Sequence, residues 1–213
     1  MTARLSRDRV LDAAMGIADR EGLDALTMRR LADELGAGAM SLYHHVPNKD
    51  GILDGILERV VGEMELPTGR DWKAGLRRAA MSAHESLGRH PWAAAALLGG
   101  ERASPARLRH MDAILGCLRG AGFSDVETDL AYHVLDSHIM GFSLWLAGIS
   151  AGMRRLGPVS NAFDLFDAAE LPHLAEHIEV HMRERDEQPS AFGYGLDLIL
   201  DGLERQLAAR SRE

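Results

Sequence analysis

Three histidines at a spacing of four residues form the clearest pattern of metal-binding residue types in this chain. His173, His177 and His181 fall on one face of a helix, because side chains four residues apart lie on the same side. Neutral imidazoles bind zinc and other borderline metals. Glu176 lies between them, and Glu170 and Glu184 flank them, which is also typical of a solvated or pH-responsive face. We therefore treat the three histidines as a weak metal candidate and expect neither a resident metal nor another cofactor.

The nearest approach to a catalytic group lies at His133, Asp136 and His138. A histidine and a carboxylate three residues apart share one side of a helix, whereas His138 points well away from them. The sequence contains no nucleophile elbow, phosphate-binding loop, dinucleotide fingerprint or HExxH motif. We expect that the protein is not an enzyme.

The stretch from residue 26 to residue 53, LTMRRLADELGAGAMSLYHHVPNKDGIL, predicts two short helices joined by a tight turn. Thr27 is a suitable N-cap for the first helix, and Gly36 is a suitable residue to end it. Apolar residues recur at helical spacing in both helices, at Leu31, Ala32 and Leu35 and then at Ala39, Met40, Leu42 and Tyr43. This arrangement is a helix-turn-helix, whose second helix enters the major groove of DNA.

The motif resembles that of the tetracycline repressor (TetR) family, whose pattern is LTxRxLAxxLGxxxxxLYxHVxNKxxLL. The chain matches the pattern, with Ile52 in place of the first leucine of the closing pair, at Leu26, Thr27, Arg29, Leu31, Ala32, Leu35, Gly36, Leu42, Tyr43, His45, Val46, Asn48, Lys49 and Leu53. The resemblance covers residues 4–64. It implies a DNA-binding transcriptional regulator, by family default a repressor that a small-molecule effector releases from a palindromic double-stranded operator.

The resemblance also implies roles for individual side chains. In this family Thr27, Tyr43 and Lys49 hold the DNA backbone, and Lys49 is aided by the amides at the start of the fourth helix. Arg29 reaches the edge of the groove, and Arg30 adds a second phosphate contact. A further residue, His45, lies against the backbone at the end of the recognition helix.

The base-reading positions depart from the tetracycline repressors proper. Those proteins carry glutamine where this chain has Ala39 and proline where it has Met40, so a bidentate reader of adenine is missing. Methyl groups remain for contacts with thymine, together with the hydroxyl of Ser41. We expect base discrimination to depend on Arg29, Ser41 and DNA shape.

Composition narrows the remaining classes. The 213 residues are 46 % hydrophobic and only 5 % aromatic, without alternating strand patterns, which predicts an all-α globular protein. A net charge of −8 argues against indiscriminate binding to nucleic acid. One cysteine, Cys117, cannot form an internal disulfide. The chain shows neither a signal-peptide pattern nor a long apolar run, so we expect a cytoplasmic protein without a membrane partner.

Helix start signals and the break after residue 66 divide the chain into a small helical domain at residues 4–64 and a larger one at 68–213. The resemblance implies that the first is a three-helix DNA-binding domain, with its motif at about 27–46, and that the second binds the ligand and forms the dimer. The first helix runs from Ser6 to about Arg20, and the fourth begins near Asn48 and ends before the break at Pro67. About six helices follow, announced by Asp71, by Ser104 and Pro105, by Ser124 and Glu127, by Leu171 and Pro172, and by Gln188 and Pro189.

The larger domain is expected to bind the effector among its central helices. The segment Ile139–Ile149 is apolar on all sides except at Ser143, which predicts a helix buried on both sides. The candidate pocket residues are Trp92, Leu97, Met111, Leu115, His133, Ser137, His138, Phe142 and Trp145.

The last helix carries glycines that cost helix stability and therefore call for a close helix contact. In TetR-like proteins two late helices of each subunit form the homodimer interface, and the segment Phe192–Glu204 resembles one of them. The candidate interface residues are Gly195, Leu198, Ile199, Gly202 and Gln206. A packing face within the chain is the alternative. For the whole protein, the alternative function is a ligand-independent DNA-binding activator or architectural protein.

Overall fold

A computed structural model describes residues 5–99, 104–156, 166–182 and 190–210, and within these ranges every regular element is helical. This confirms the all-α prediction. The helices are α1 (Arg7–Glu21), α2 (Met28–Leu35), α3 (Ala39–Leu42), α4 (Lys49–Gly62), α5 (Trp72–Arg89), α6 (Ala93–Gly99), α7 (Pro105–Ala121), α8 (Asp125–Leu156), α9 (Pro172–Met182) and α10 (Ala191–Arg210). A short 3-10 turn at Leu23–Ala25 links α1 to α2.

Side-chain caps fix most helix starts where the sequence predicts them. A capping oxygen accepts a hydrogen bond from the amide three residues later, as it does for Ser6, Thr27, Asn48, Asp71 and Ser104. Ser124 and Glu127 form a reciprocal capping box, in which the Ser124 amide donates to the Glu127 carboxylate at 2.8 Å. Gln188 and Pro189 lie outside the described residues, and Ser190 accepts from the Gly193 amide at the start of α10.

A close contact between α1 and α4 sets the geometry of the N-terminal domain. Leu11 of α1 is almost fully buried and lies over Gly55 of α4, where a Cβ atom would come within 2.7 Å of its Cδ2 atom. Leu31 and Leu42 are fully buried in the same core. Helix α1 also packs against α2, and α2 packs against α3, so the helix-turn-helix is joined to α4 through α1.

The larger domain is built around α5, α7, α8 and α10, which pack against one another. Phe192, Leu196 and Leu200 bury one side of α10 in this core. The expectation that the second half of α8 is buried on both sides was wrong for the single chain. Trp145 is 50 % exposed and Ile149 is 38 % exposed, because only the opposite side of the helix faces α5 and α10.

None of the helices in the described ranges combines the length and the apolar character that crossing a bilayer requires.

Candidate DNA-binding surface, ligand cavity and dimer face

Gly36 forms the turn of the helix-turn-helix. Its φ of +60° is left-handed, a conformation that costs a residue with a side chain but not glycine. Its amide bonds to Ala32 and Asp33 carbonyls at the end of α2. The chain then needs only Ala37 and Gly38 before α3 begins at Ala39.

Two buried residues fix the orientation of the recognition helix α3. Leu42 and Val46 are buried beneath it, whereas Met40 is 78 % exposed and Ser41 faces outward beside it. Tyr43 is about half exposed at its end. The surface expected to read bases therefore points away from the domain core.

The other residues predicted to bind DNA belong to the same domain, and most of their side chains are exposed. Thr27, Arg29, Arg30 and Lys49 are exposed, and His45 is half-buried. The side chain of Ala39 lies outside the described residues. Lys49 is the first residue of α4 and follows the N-cap Asn48, so it belongs to the helix terminus that attracts anions.

The basic residues differ in whether their charge is already paired. Arg30 binds Glu21 at 2.8 Å and lies 3.7 Å from Glu34, and its hydrogen bond and charge lower the pKa of Glu21. Arg29 and Lys49 form no such pair within the described part of the chain. The expected phosphate contact of Arg30 would first require these ion pairs to open.

Helix α4 contacts both domains through adjacent residues. The carboxylate of Glu58 accepts the Ala106 amide of α7 at 2.8 Å and lies 3.0 Å from Arg109. The next residue, Arg59, pairs with Asp8 of α1 at 2.8 Å and also with Asp12. Partial burial acts to raise the pKa of Glu58, but the hydrogen bonds from α7 outweigh it and the pKa is lowered.

A second polar junction joins α1 to the corner between α5 and α6. Asp19 accepts a hydrogen bond from the indole Nε1 of Trp92 at 2.7 Å and lies 2.8 Å from Nδ1 of His90. His90 is only 7 % exposed. Trp92, expected in the effector pocket, instead belongs to this contact between the domains.

A small cavity of about 30 Å³ lies between α4, α5, α6, α7 and α8, close to the volume of a single water molecule. Its apolar lining includes Met64, Leu87 and Ile139, and its polar lining consists of Arg107, His110, Tyr132 and Asp136. Two of the predicted pocket residues, Leu97 and Met111, line it. The polar lining residues were missed because composition alone did not show which sides of α7 and α8 face each other.

The remaining predicted pocket residues lie elsewhere. Leu115 packs against the core, whereas His138 and Phe142 contact the ring of Phe192 on α10. Three residues of α8 are exposed on its outer side, namely His133, Ser137 and Trp145. These six side chains do not line the cavity described above.

An exposed apolar stripe follows the outer side of α8 and continues onto α10. Exposed large hydrophobic residues lie four positions apart, apart from one interval of about three helical turns between Val134 and Trp145. They are Val126, Leu130, Val134, Trp145 and Ile149 on α8 and Tyr194 and Leu198 on α10. The two helices pack side by side. We call these seven residues the α8–α10 face.

The predicted interface residues divide between this face and the interior. Leu198 is 53 % exposed, Gln206 is exposed, and the position of a Cβ on Gly202 is open except for the flexible end of Arg205. Gly195 and Ile199 instead pack within the chain. A Cβ on Gly195 would lie 2.7 Å from the His138 ring, so the alternative of an intramolecular packing face explains this glycine.

The weak metal candidate lies on the exposed helix α9. His173 is largely exposed and lies 3.9 Å from Glu176, His177 is exposed, and the side chain of His181 lies outside the described residues. Among the side chains that the structure describes, no group of three or more His, Cys, Asp or Glu residues is placed to hold a metal ion.

Both domains are similar to those of known proteins. Residues 10–56 match the family model "Bacterial regulatory proteins, tetR family", and residues 66–207 match "Tetracyclin repressor-like, C-terminal domain". The two models together cover most of the chain.

Individual relatives extend over almost its whole length. The HTH-type transcriptional repressor DrrR1 of Streptomyces coeruleorubidus is 34 % identical over 98 % of this chain and 81 % of its own length. The tetracycline repressor protein class D of Escherichia coli is 30 % identical over 97 % of this chain and 93 % of its own.

Solved structures agree with these sequence matches. Apo ActR from Streptomyces coelicolor superposes with a TM-score of 0.74 at 27 % identity, covering 99 % of this chain and 100 % of ActR. Its complex with actinorhodin superposes with a TM-score of 0.71 at 28 % identity, covering 96 % of this chain and 99 % of ActR. With both halves matched in order, the chain belongs to the tetracycline repressor (TetR) family of transcriptional regulators.

Proposed function

We propose that the protein is a transcriptional repressor that binds a palindromic operator as a homodimer and is released from it by a small-molecule effector. Residues 4–64 form the DNA-binding domain, and residues 68–213 bind the effector and the second subunit. The observation that carries the proposal is that α4 packs against α1 of the N-terminal domain and also lines the cavity with Val61 near its end.

The contact with DNA follows from the exposed surface of the N-terminal domain. Met40 and Ser41 of α3 are exposed and would meet the bases, while the exposed Thr27, Tyr43 and Lys49 would hold the phosphates. Arg29 adds an exposed cation beside α3. Because the net charge of the chain is −8, the positive charge that can bind phosphate must come from a few residues such as Lys49 and Arg29.

Dimerisation through the α8–α10 face would present two such surfaces together. An exposed apolar stripe of this kind usually marks a protein interface, and a two-fold axis through it would pair each helix with its counterpart. Two DNA-binding domains on one side of the DNA reach half-sites that lie about one helical turn, or a multiple of it, apart. This geometry accounts for a palindromic operator.

The effector would occupy the cavity between α4, α5, α6, α7 and α8. ActR, which is similar to this chain, has been solved in complex with actinorhodin. At about 30 Å³ the cavity is too small for such a molecule, so binding must move its walls. Met64, Met111 and Met140 line it, and flexible methionine side chains allow such rearrangement.

The coupling to DNA would pass through α4. A ligand that displaces α7 moves the Ala106 amide and Arg109, which hold Glu58, whereas Arg59 stays attached to α1 through Asp8. The resulting tilt of α4 changes the separation of the two DNA-binding domains in the dimer. The ligand releases DNA only if it binds the tilted conformation more tightly, because equal affinity shifts no equilibrium.

A repressor of this kind acts on the chromosomal DNA of a bacterium. The proposal therefore places the protein in the cytoplasm.

The experiment combines operator binding with ligand stabilisation. A bound effector raises the melting temperature, and the same compound should lower the fraction of a bound operator duplex in a mobility-shift assay. Actinorhodin is the first compound to test, followed by a library of apolar small molecules. A ligand-independent activator or architectural protein would bind DNA without a melting shift from any compound. A compound that raises the melting temperature but leaves operator affinity unchanged would contradict release by that ligand.

A further inference from the structure

Four polar residues form a cluster in the otherwise apolar cavity, which we call the cavity cluster. Arg107 and His110 lie one turn apart on α7, and Tyr132 and Asp136 lie one turn apart on α8. The charge of Asp136 acts on the pKa of both His110 and Tyr132, and that of Arg107 acts on Tyr132. The four groups are therefore close enough to act on one ligand.

Within this cluster His110 has an unsatisfied ring nitrogen. Its Nε2 atom is shielded from solvent and has no hydrogen-bond partner in the described structure. A buried polar atom without a partner carries its full desolvation penalty. A ligand that supplies the missing partner would remove this penalty.

The protonation state of His110 defines what that partner must be. Burial lowers the pKa of His110, while Asp136 and a hydrogen bond to the Glu65 backbone act in the opposite direction. Since burial outweighs these two effects, the neutral form of the ring is favoured. A hydrogen bond that raises the pKa of a histidine is one that the ring donates, here to the backbone carbonyl of Glu65. Because Nε2 has no partner, the donor is Nδ1, and Nδ1 carries the proton. The free Nε2 atom is therefore an acceptor.

The charges around His110 select against ionised ligands. Asp136 repels an anion, and the guanidinium of Arg107, which already donates to the Leu97 carbonyl, repels a cation. Each ion is also attracted by the other of these two charges, so neither gains a net attraction that would offset the loss of its hydration on burial. A metal bridge is disfavoured as well, since no group of three or more metal-binding residues occurs among the described side chains.

We infer that the effector is a neutral, largely apolar molecule with a hydroxyl group that donates a hydrogen bond to Nε2 of His110. This inference rests on the proposed function, because it assigns ligand chemistry to the same cavity. Methyl-replaced analogues cannot make this bond, and carboxylates meet Asp136. The hydroxyl, rather than ring size alone, decides which molecules bind.

Phenol, toluene and benzoate test this inference, because they differ mainly in one substituent. The full-length protein, labelled with ¹³C at its methionine methyl groups, is titrated with each probe by NMR. Shifts at Met64, Met111 and Met140 report binding inside the cavity, and substitution of single methionines by leucine assigns the signals. We expect phenol to bind about tenfold more tightly than toluene, the effect of one buried hydrogen bond, and benzoate to bind most weakly.

Three variants locate the preference. His110→Phe should remove it, with phenol affinity falling about tenfold and toluene affinity unchanged, because only the acceptor is lost. His110→Gln, whose amide oxygen can accept, should restore part of it. His133→Phe alters an exposed histidine outside the cavity and should leave the preference intact. Toluene binding also verifies that each variant has folded.

Several results would overturn the inference. They are equal affinity for phenol and toluene, no binding of any probe in the cavity, a preference that survives in His110→Phe, or a preference that EDTA abolishes. If any of these occurs while the protein still binds and releases an operator, the ligand assignment fails and the proposed function stands. If the protein selects no operator, the proposed function itself fails, whatever the probes do.

Discussion

Glu58 and Arg59 are consecutive residues of α4, yet they bind helices of different domains. Glu58 accepts the Ala106 amide of α7 at 2.8 Å, and Arg59 lies 2.8 Å from Asp8 of α1. Their side chains point to different sides of the helix, as neighbouring positions on a helix must. We therefore expect a movement of α7 to act on a helix that is also attached to the N-terminal domain.

Removal of the Glu58 carboxylate should weaken this connection. Glu58→Ala leaves the Ala106 amide without its acceptor, and a lost cap of this kind costs about 1 kcal/mol of stability. A compound that releases the wild type from its operator should bind this variant but release it less effectively. Glu58→Gln, which keeps an acceptor oxygen, should retain more of the release. Identical release curves for the wild type and Glu58→Ala would contradict transmission through this contact.

Lys49 and Arg30 should differ in their contribution to DNA binding, although both are exposed cations near the recognition unit. Lys49→Ala should weaken binding to all sequences alike and reduce the slope of log affinity against log salt by about 1. Arg30→Ala should change this slope much less, because Glu21 and Glu34 already pair with Arg30. Titrations of one operator duplex at several salt concentrations measure both. Equal slope changes for the two variants would show that the Arg30 ion pairs open on DNA.

The α8–α10 face should hold the dimer together. Trp145→Asp places a charge in the middle of the apolar stripe, and burying an unpaired charge in an interface is strongly unfavourable. We expect this variant to sediment as a monomer and to lose operator binding. Leu108→Asp is the control, since Leu108 is 55 % exposed on α7 outside that face. A Trp145→Asp variant that remains dimeric would show that the subunits meet elsewhere.

Gly55 should tolerate no side chain, whereas Gly62 on the same helix should. Gly55→Ala would place its Cβ within 2.7 Å of Leu11, and overpacking of this kind costs about 1–3 kcal/mol. The position that a methyl group on Gly62 would occupy is open space, so Gly62→Ala should be neutral or slightly stabilising. Thermal unfolding of both variants decides the matter. A Gly55→Ala protein as stable as the wild type would mean that α1 and α4 can separate without cost.

Stability should fall as the pH drops below about 6.5, the ordinary pKa of histidine. Burial lowers the pKa of both His84 and His110, so the unfolded chain binds more protons than the folded one in this range. Their contribution is fully present above pH 6.5 and is lost as the pH falls through their folded pKa values. His84→Phe, which keeps a ring against Phe192, should make urea unfolding less acid-sensitive. An unchanged pH profile in that variant would assign the acid sensitivity to other groups.

Local signals made the helix starts and the helix-turn-helix predictable from the sequence. Ser6, Thr27 and Asn48 cap their helices as expected, because capping depends on residues only three positions apart. Gly36 adopts the left-handed conformation that its place after α2 implies. Such features need no knowledge of the rest of the fold.

Contacts between distant residues were not predictable in the same way. The sequence placed Trp145 in the pocket and Gly195 in the interface, whereas Trp145 lies on the outer side of α8 and Gly195 packs against His138 of the same chain. An evenly apolar helix has no pattern that marks which side faces the core. The pairing of Arg30 with Glu21 likewise depends on how α1 and α2 meet.

Selection of binding sites from a random pool of duplex DNA tests the central claim most directly. The full-length protein is incubated with the pool, bound duplexes are recovered over several rounds, and the stoichiometry on the enriched sequence is measured by sedimentation. The account predicts an inverted repeat whose half-sites are about one helical turn apart, or a multiple of it, occupied by two or another even number of chains. Enrichment of no sequence, or of a single half-site bound by one chain, would contradict it.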